Sequence, residues 1–559
     1  MQGVFADAWT SLRALGNSFR SPDVAKALGA YLAFTITEWA AFIALIVYAY
    51  EDGGSVMVGL VSLLQLIPAA LLAPIGSVLG DRHRRERVLL LAHASLAGMT
   101  GLAAAALLMD APAPLVYAAA TSAGWVITLV RPTHASLLPR LARTPEELSS
   151  AYAATGVLES LSILVGPLLA GGLMGVAPRA VSGPGLVDAV LAALLLAGAV
   201  AVASIRTRTE PAQGGDASGV NVVITDAVVG VRAVAKDRRS LLLVLTMGLA
   251  TVQLGFVDVL IVILAFDVIG TGDAGVGFLT ASIGVGAVVG AALAVGLALR
   301  WRSSRSFRFG VASSGVAIAA IAAQPGLAAG LFAVSGVGAT LADVNGRVML
   351  QRLIPDKQLS RTFGVLESLY MAGEGVGSFL ASIIVVAIGP RWTLLLAGLL
   401  LPTAAVVGRR ALVALDVGVR IPATEIALLR SISIFAPLPT PTLERLARNL
   451  VPISLPAGAT VIEQGEAGDR FYAIVDGEAQ VRTDGRAIAT LGPGGWFGEI
   501  ALIRDVPRTA TVIATTGISL LALDRDEFLR AVTGHEAASV AAHGVATERL
   551  DELQVGLDP

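Results

Sequence analysis

The sequence predicts an all-α membrane domain of about twelve transmembrane helices, followed by a small α+β domain. Three observations lead there: an apolar, charge-poor composition, a succession of apolar stretches of bilayer length, and an abrupt change of character after Arg410. Hydrophobic residues make up 55% of the 559, charged residues only 15%, and mean hydropathy is +0.76. Soluble domains carry roughly 25% charge. A net charge of −2 offers no basic surface for nucleic acid. With no cysteine there are no disulfides, thiolate metal sites or Cys nucleophiles, and no His lies at metal-ligand spacing.

A membrane helix needs about 20 mainly apolar residues. Such stretches lie near 28–50, 56–80, 88–109, 114–138, 148–175 and 186–205, the first six-helix bundle (28–205). A polar cytosolic linker covers 206–239, and a second bundle (240–413) follows near 240–268, 275–300, 307–323, 327–351, 361–388 and 391–413. Residues 1–27 lack the pattern of a cleavable signal, and Val4, Phe5, Ala8, Trp9, Leu12 and Leu15 recur as on a short interfacial helix. Basic residues concentrate in alternate loops, such as Arg82, Arg84, Arg85 and Arg87, then Arg140 and Arg143, then Arg238 and Arg239. The other loops are acidic (Glu51, Asp52, Asp110, Asp273), which puts the termini and the soluble tail in the cytoplasm.

GVLESL occurs at 156–161 and again at 364–369, each time after a basic loop and opening a Gly-rich helix, as expected of an internal repeat. The loop GSVLGDRHRRERV at 76–88 resembles the Gly-x-x-x-Asp-Arg-x-x-Arg-Arg signature of the major facilitator superfamily, with Ser77 in place of a glycine. That resemblance implies a 6+6 major facilitator fold in which Asp81, Arg82 and Arg85 latch the halves on the cytosolic side. GPLLAGG at 166–172 resembles the antiporter motif of drug:proton exporters, and RPTHASLLPRL resembles the enterobactin-exporter branch, near which lysophospholipid flippases also lie. The implied activity is export of an amphipathic or lipid-like small molecule.

Acids inside the spans are candidate coupling groups: Glu38, Glu159, Asp258, Glu367 and Glu374. A charge at mid-bilayer costs roughly 2.5–3.5 kcal/mol on insertion scales, so these must face the interior, carry a proton or be paired. Glu38 and Asp258 suit proton coupling, cationic-substrate binding or buried hydrogen bonding. Glu159 and Glu367 hold matched places in GVLESL, which points to a structural role between the halves. Asp343 and Arg347, four apart, read as a helix-surface ion pair.

After a connector (414–424), residues 425–559 read as helices, then strands with Asp-Gly turns at 476–477 and 484–485, then a helix opened by an Asp524/Glu527 capping box. This is a β-roll with flanking helices. In FGEIALIRDVPRTATV at 497–512, glycines let the backbone approach a ligand, Glu499 suits a ribose hydroxyl, and Arg508 can fork onto phosphate. Spacing alone leaves a generic anion loop. The whole string resembles the phosphate-binding cassette of catabolite activator protein and protein kinase A regulatory subunits. The resemblance implies cAMP or cGMP bound by Gly498, Glu499, Ile500, Ala501, Leu502, Arg508, Thr509 and Ala510. The expectation is therefore a plasma-membrane transporter, not an enzyme, under cyclic-nucleotide control, with a lipid bilayer and a small-molecule substrate as partners and no metal. A non-transporting receptor is the rival; a channel is disfavoured because no filter or voltage-sensor sequence is present.

Overall fold

The structure, a computed structural model, describes residues 21–82, 84–142, 144–178, 181–205, 229–298 (except 233 and 236), 303–354, 356–409, 423–438, 440–534 and 536–555. It divides into two compact units, Met1–Val419 and Arg420–Pro559.

The first unit is helical. The run Pro22–Arg82 is broken at Gly53 and Gly54, whose φ/ψ of −148/21 and 64/−160 are non-helical, into α1 (22–52) and α2 (55–82). There follow α3 (Arg85–Leu108), α4 (Ala113–Leu141), α5 (Pro145–Val176) and α6 (Gly183–Ala203). The second set is α7 (Arg238–Ile263, extended by a π-turn Leu264–Val268), α8 (Gly272–Ala298), α9 (Ser303–Ile321), α10 (Ala328–Leu353), α11 (Asp356–Ile388) and α12 (Pro390–Val407). Among the described residues ten helices are long and apolar enough to cross a membrane; the first of them holds two passes, and the more polar α9 brings the series to twelve. Local chemistry sets the ends. Thr144 accepts from Glu147 N–H, Ser182 from Gly185 N–H, and Asp237 from the N–H groups of Arg239 and Ser240. The first helix begins at Pro22, earlier than the expected 28. The interfacial segment and most of the linker fall outside the described residues.

Glycines set the close approaches between helices. Within bundles, Gly166 of α5 lies on the Ile36 carbonyl of α1, Gly377 of α11 lies on the Val252 carbonyl of α7, and Gly255 meets the Glu374 carbonyl. Between bundles, Gly171 of α5 meets Gly277 of α8, and Gly59 of α2 meets Ser382 of α11. These two inter-bundle contacts lie toward the pole that carries the acidic loops.

The packing register corrects the repeat. Thr35 bonds Ser162 at 2.7 Å just as Thr251 abuts Gly373, and Gly166 sits on its partner helix as Gly377 does. In that register Glu159 corresponds to Tyr370, and Glu367 to Gly156. The GVLESL strings are displaced by nearly one helical turn, so Glu159 and Glu367 are not equivalent positions, although residues a turn apart share a face.

The second unit opens with α13 (Ala423–Ser431) and α14 (Thr440–Asn449). Eight strands then form two antiparallel four-stranded sheets, ordered β1-β8-β3-β6 and β2-β7-β4-β5: β1 Val451–Leu455, β2 Thr460–Ile462, β3 Arg470–Asp476, β4 Ala479–Thr483, β5 Arg486–Leu491, β6 Trp496–Phe497, β7 Thr511–Ala514 and β8 Ile518–Asp524. Asp484 (φ 51) and Gly485 (φ 79) make the β4–β5 turn that the Asp-Gly pair predicts. The short α15 (Glu499–Arg504) lies between β6 and β7, and α16 (Arg525–Thr533) and α17 (Glu536–Val555) close the unit. The rings of Phe435, Phe471 and Phe528 meet at 5.2–5.8 Å and join sheet to helices. Asp524 does not cap α16 with its side chain. Its carboxylate instead accepts from Arg470 Nε at 2.9 Å, across the β3–β8 pair.

A leucine at Gly377 would drive into the α7 backbone, where overpacking costs about 1–3 kcal/mol or more. Gly377→Leu is expected to lower the Tm of the purified protein in detergent, whereas Gly364→Ala, facing open space on the same helix, leaves it unchanged or slightly raised.

Candidate functional site

In the second unit a pocket of about 230 Å³ is lined by Gly498, Glu499, Arg508, Thr509, Ala510 and Arg549, with Ile500 and Ala501 beside them and aliphatic residues of the sheets behind. Gly498 has φ 92, and a Cβ there would lie 2.8 Å from Arg508 Nη1, so only glycine fits. Arg508 is buried. Its Nη1 donates to the Gly498 carbonyl (2.9 Å), and its Nη2 to the Arg470 carbonyl (2.8 Å) and Asp469 (3.2 Å). The guanidinium is thus preset at the pocket wall by protein acceptors.

Glu499 begins α15 and is 1% exposed. Its Oε1 accepts from Arg549 Nη1 at 2.9 Å, and Arg549 also donates to the Trp496 carbonyl (3.0 Å) and stacks 3.8 Å from the Trp496 ring centroid. Burial pushes the Glu499 carboxyl above the ordinary carboxylate range, against the pull of Arg549. Of the expected ligands, Leu502 is misplaced: it is buried with Phe471, Trp496 and Phe528 in the core and does not line the pocket. Arg549 was missed because it lies 50 residues beyond Glu499, on a helix whose sequence carries no sign of folding back.

In the first unit a cavity of about 740 Å³ opens between the two bundles. Glu38, Glu159, Glu367 and Glu374 line it, together with Arg131 and Arg347. Each arginine is clasped by two carboxylates. Arg131 donates to Glu38 (2.5 Å) and to Glu159, which also accepts from Tyr31 Oη (2.7 Å). Arg347 donates to Asp343 (3.0 Å) and Glu367 (2.8 Å), and Tyr370 Oη donates to Asp343 (2.9 Å). The i,i+4 pair expected of Asp343 and Arg347 is present, but it faces the cavity. Arg131 was the missed residue. It stands inside an apolar span, a placement that by itself marks function.

Asp258 does not line this cavity. It lies on α7 one turn from Gly255, which packs on the Glu374 carbonyl and close to Ser378 N. The Oδ2 of Asp258 and the hydroxyls of Ser378 and Ser62 are buried without hydrogen-bond partners. Of the expected latch, Arg85 is buried in the first turn of α3, and the side chains of Asp81 and Arg82 lie outside the described residues.

Residues 27–271 match the Major Facilitator Superfamily, and residues 452–535 match the cyclic nucleotide-binding domain. The chain carries a major facilitator domain followed by a cyclic nucleotide-binding domain. It is a multi-pass membrane protein. The cyclic nucleotide-binding domain is similar to cAMP-bound PfPKA-R (141–441), at 30% identity over 25% of this chain and 48% of that one, with a TM-score of 0.22. It is similar also to PKAR CBD2 bound to Sp-2Cl-cAMPS (28% identity, 25% and 96% covered, TM-score 0.22) and to the regulatory domain of Toxoplasma gondii PKA with cAMP (25% identity, 25% and 56% covered, TM-score 0.22). The chain spans about half the length of the first of these.

Without Arg549 the buried Glu499 loses its principal charged partner and its carboxyl moves further up, which weakens it as a hydroxyl acceptor. Arg549→Met is expected to weaken nucleotide binding about tenfold at neutral pH, with recovery as rising pH ionises Glu499; calorimetry on the full-length protein across pH reads this directly. In the parent protein the same raised value means the folded state holds this proton longer than the unfolded chain. The Glu499 contribution to stability therefore falls as pH rises from the ordinary carboxylate range through the raised one.

Proposed function

We propose that this protein is a proton-coupled secondary exporter of an amphipathic or lipid-like molecule, controlled by cytosolic cyclic nucleotide, with cAMP as the ligand. The observation that carries the reading is the cavity between the bundles, where two arginines face five acids, Glu38, Glu159, Asp343, Glu367 and Glu374. That excess of carboxylates suits a substrate bearing an amine. A smaller pocket of about 220 Å³ inside the second bundle is lined almost wholly by apolar groups, and it shares Asp343 and Tyr370 with the large cavity. A head group held at the carboxylates would leave an apolar tail at the mouth of that pocket. The same feature suits a lysolipid, and flipping of a lipid between leaflets is the second reading.

Asp258 and Glu374 are the coupling pair in this scheme. Two neighbouring carboxylates inside an apolar span favour sharing one proton, and a site that gains and loses that proton during the cycle couples transport to pH. The basic loops orient the protein in an inner (plasma) membrane with both termini in the cytoplasm. This is transport and not enzymatic chemistry.

Nucleotide acts by exchange. A cyclic phosphate takes Arg508 donors now given to backbone carbonyls, and a ribose hydroxyl donates to Glu499, whose Oε1 stays with Arg549 and so links the ligand to α17. A ligand shifts the transport equilibrium only by its differential affinity for the two states, typically about 1–3 kcal/mol, so modulation of about 5–150-fold is expected.

Proteoliposomes with an imposed pH gradient test the coupling. Asp258→Asn and Glu374→Gln should each abolish gradient-driven efflux of a lipophilic amine, and efflux still driven by the gradient in both variants would remove the pair. cAMP inside the vesicle should change the rate, and Arg508→Ala should erase that change while basal transport stays the same. A fluorescent lysolipid moved without any gradient would favour the flippase reading.

A further inference from the structure

On the opposite side of Glu38 from the large cavity lies a second, much smaller one of about 30 Å³, buried inside the first bundle. Its polar wall is made by Asp188 of α6, Gln65 of α2, Thr100 of α3, and Thr37 and Glu38 of α1. Asp188 is 6% exposed, and its Oδ1 has no hydrogen-bond partner. The Oε1 of Gln65 is likewise buried and unpartnered. Two buried acceptors, each without a hydrogen-bond partner, thus lie at one small space. A small hard cation between them satisfies both, with hydroxyl oxygens available from Thr37 and Thr100.

The size agrees, since a water needs about 10–15 Å³ and this space holds about two such particles. The charge agrees as well. Glu38 is already engaged by Arg131, so Asp188 is the one carboxylate left unpaired at the site. One free carboxylate with neutral oxygens suits a monovalent ion, whereas Ca²⁺ takes six to eight oxygens that commonly include several carboxylates.

A route leads to the site. At the acidic pole a separate hollow of about 450 Å³ is lined by Glu51, Asp110 and Asp273 and, among the described residues, by no cationic side chain. Leu107 and Pro184 at its floor are each one helical turn from Ala103 and Asp188 of the buried cavity. On the far side, Glu38, Gln65, Gly124 and Ile127 are common to the buried cavity and the large one. The small cavity thus adjoins the substrate cavity on one side, and on the other it lies one helical turn from a carboxylate-lined hollow.

We propose that Asp188 and Gln65 form a binding site for a small monovalent cation, Na⁺, supplied from the vestibule of Glu51, Asp110 and Asp273. The site is independent of the Asp258–Glu374 pair, and it stands whether or not that pair carries protons.

Equilibrium binding of radioactive Na⁺ to the purified full-length protein tests it, with choline and K⁺ as ionic-strength controls. Saturable binding is expected, competed by Li⁺ and not by K⁺. Asp188→Asn should weaken it at least about tenfold and Gln65→Leu should weaken it measurably, while Asp258→Asn retains it. No saturable Na⁺ binding at neutral or alkaline pH, or undiminished binding in Asp188→Asn, would overturn the proposal. If neither cage variant is monodisperse, the parent protein still decides: Na⁺ should raise its Tm over equal K⁺, and equal values for the two salts also overturn the site.

Discussion

In an apolar medium a charge is tolerable only when another charge or a set of hydrogen bonds meets it, and the membrane unit is organised around that demand. Arg131 gathers two carboxylates from neighbouring helices, Arg347 one from its own helix and one from its neighbour, and aromatic rings overlie both, Phe34 for one and Tyr370 for the other. Both arginine side chains keep about a third of their surface open to the cavity, so these pairs are partly solvated and each partner orients the other's side chain. The helices that carry these residues are thereby fixed around the cavity. The same groups that tie helices together within each bundle line the space a substrate would occupy, so structure and recognition draw on one set of side chains.

The nucleotide-binding unit meets its own version of the demand. Arg508 and Glu499 are both buried, and each has been given a partner by a distant part of the chain: the Gly498 and Arg470 carbonyls for the arginine, Arg549 of the last helix for the acid. The site is therefore in balance without a ligand. On the acid side the engaged oxygen is Oε1, and its partner belongs to α17. The pocket carboxylate and the terminal helix are therefore joined by one ion pair.

Much of this was legible in the chain. Twelve helices, the split into six and six, the β-roll, and the cassette with Gly498, Glu499 and Arg508 all follow from hydrophobic length, turn residues and one compact motif, because each is local in sequence. What could not be read depended on distant pairing. Arg549 joins Glu499 only because α17 folds back, and Asp188 draws notice only once Gln65 and Thr100 are seen around it. The duplicated GVLESL string misled for a related reason. Sequence identity aligned Glu159 with Glu367, while backbone contact at Gly166 and Gly377 aligns Glu159 with Tyr370. Leu502 and Asp524 failed in the same manner, since a helix face and a cross-strand arginine decided their roles.

The glycine contacts between bundles have a mechanical meaning. Where Gly171 meets Gly277 and Gly59 meets Ser382, the surfaces are nearly bare backbone, with few side chains interlocked. Such faces part with few side chains to disengage. What pins them at the acidic pole, among the described residues, is one clasp, the Tyr50 hydroxyl on Asp267 with the Tyr50 ring against Phe266, so this seam works as a hinged lid with a single catch.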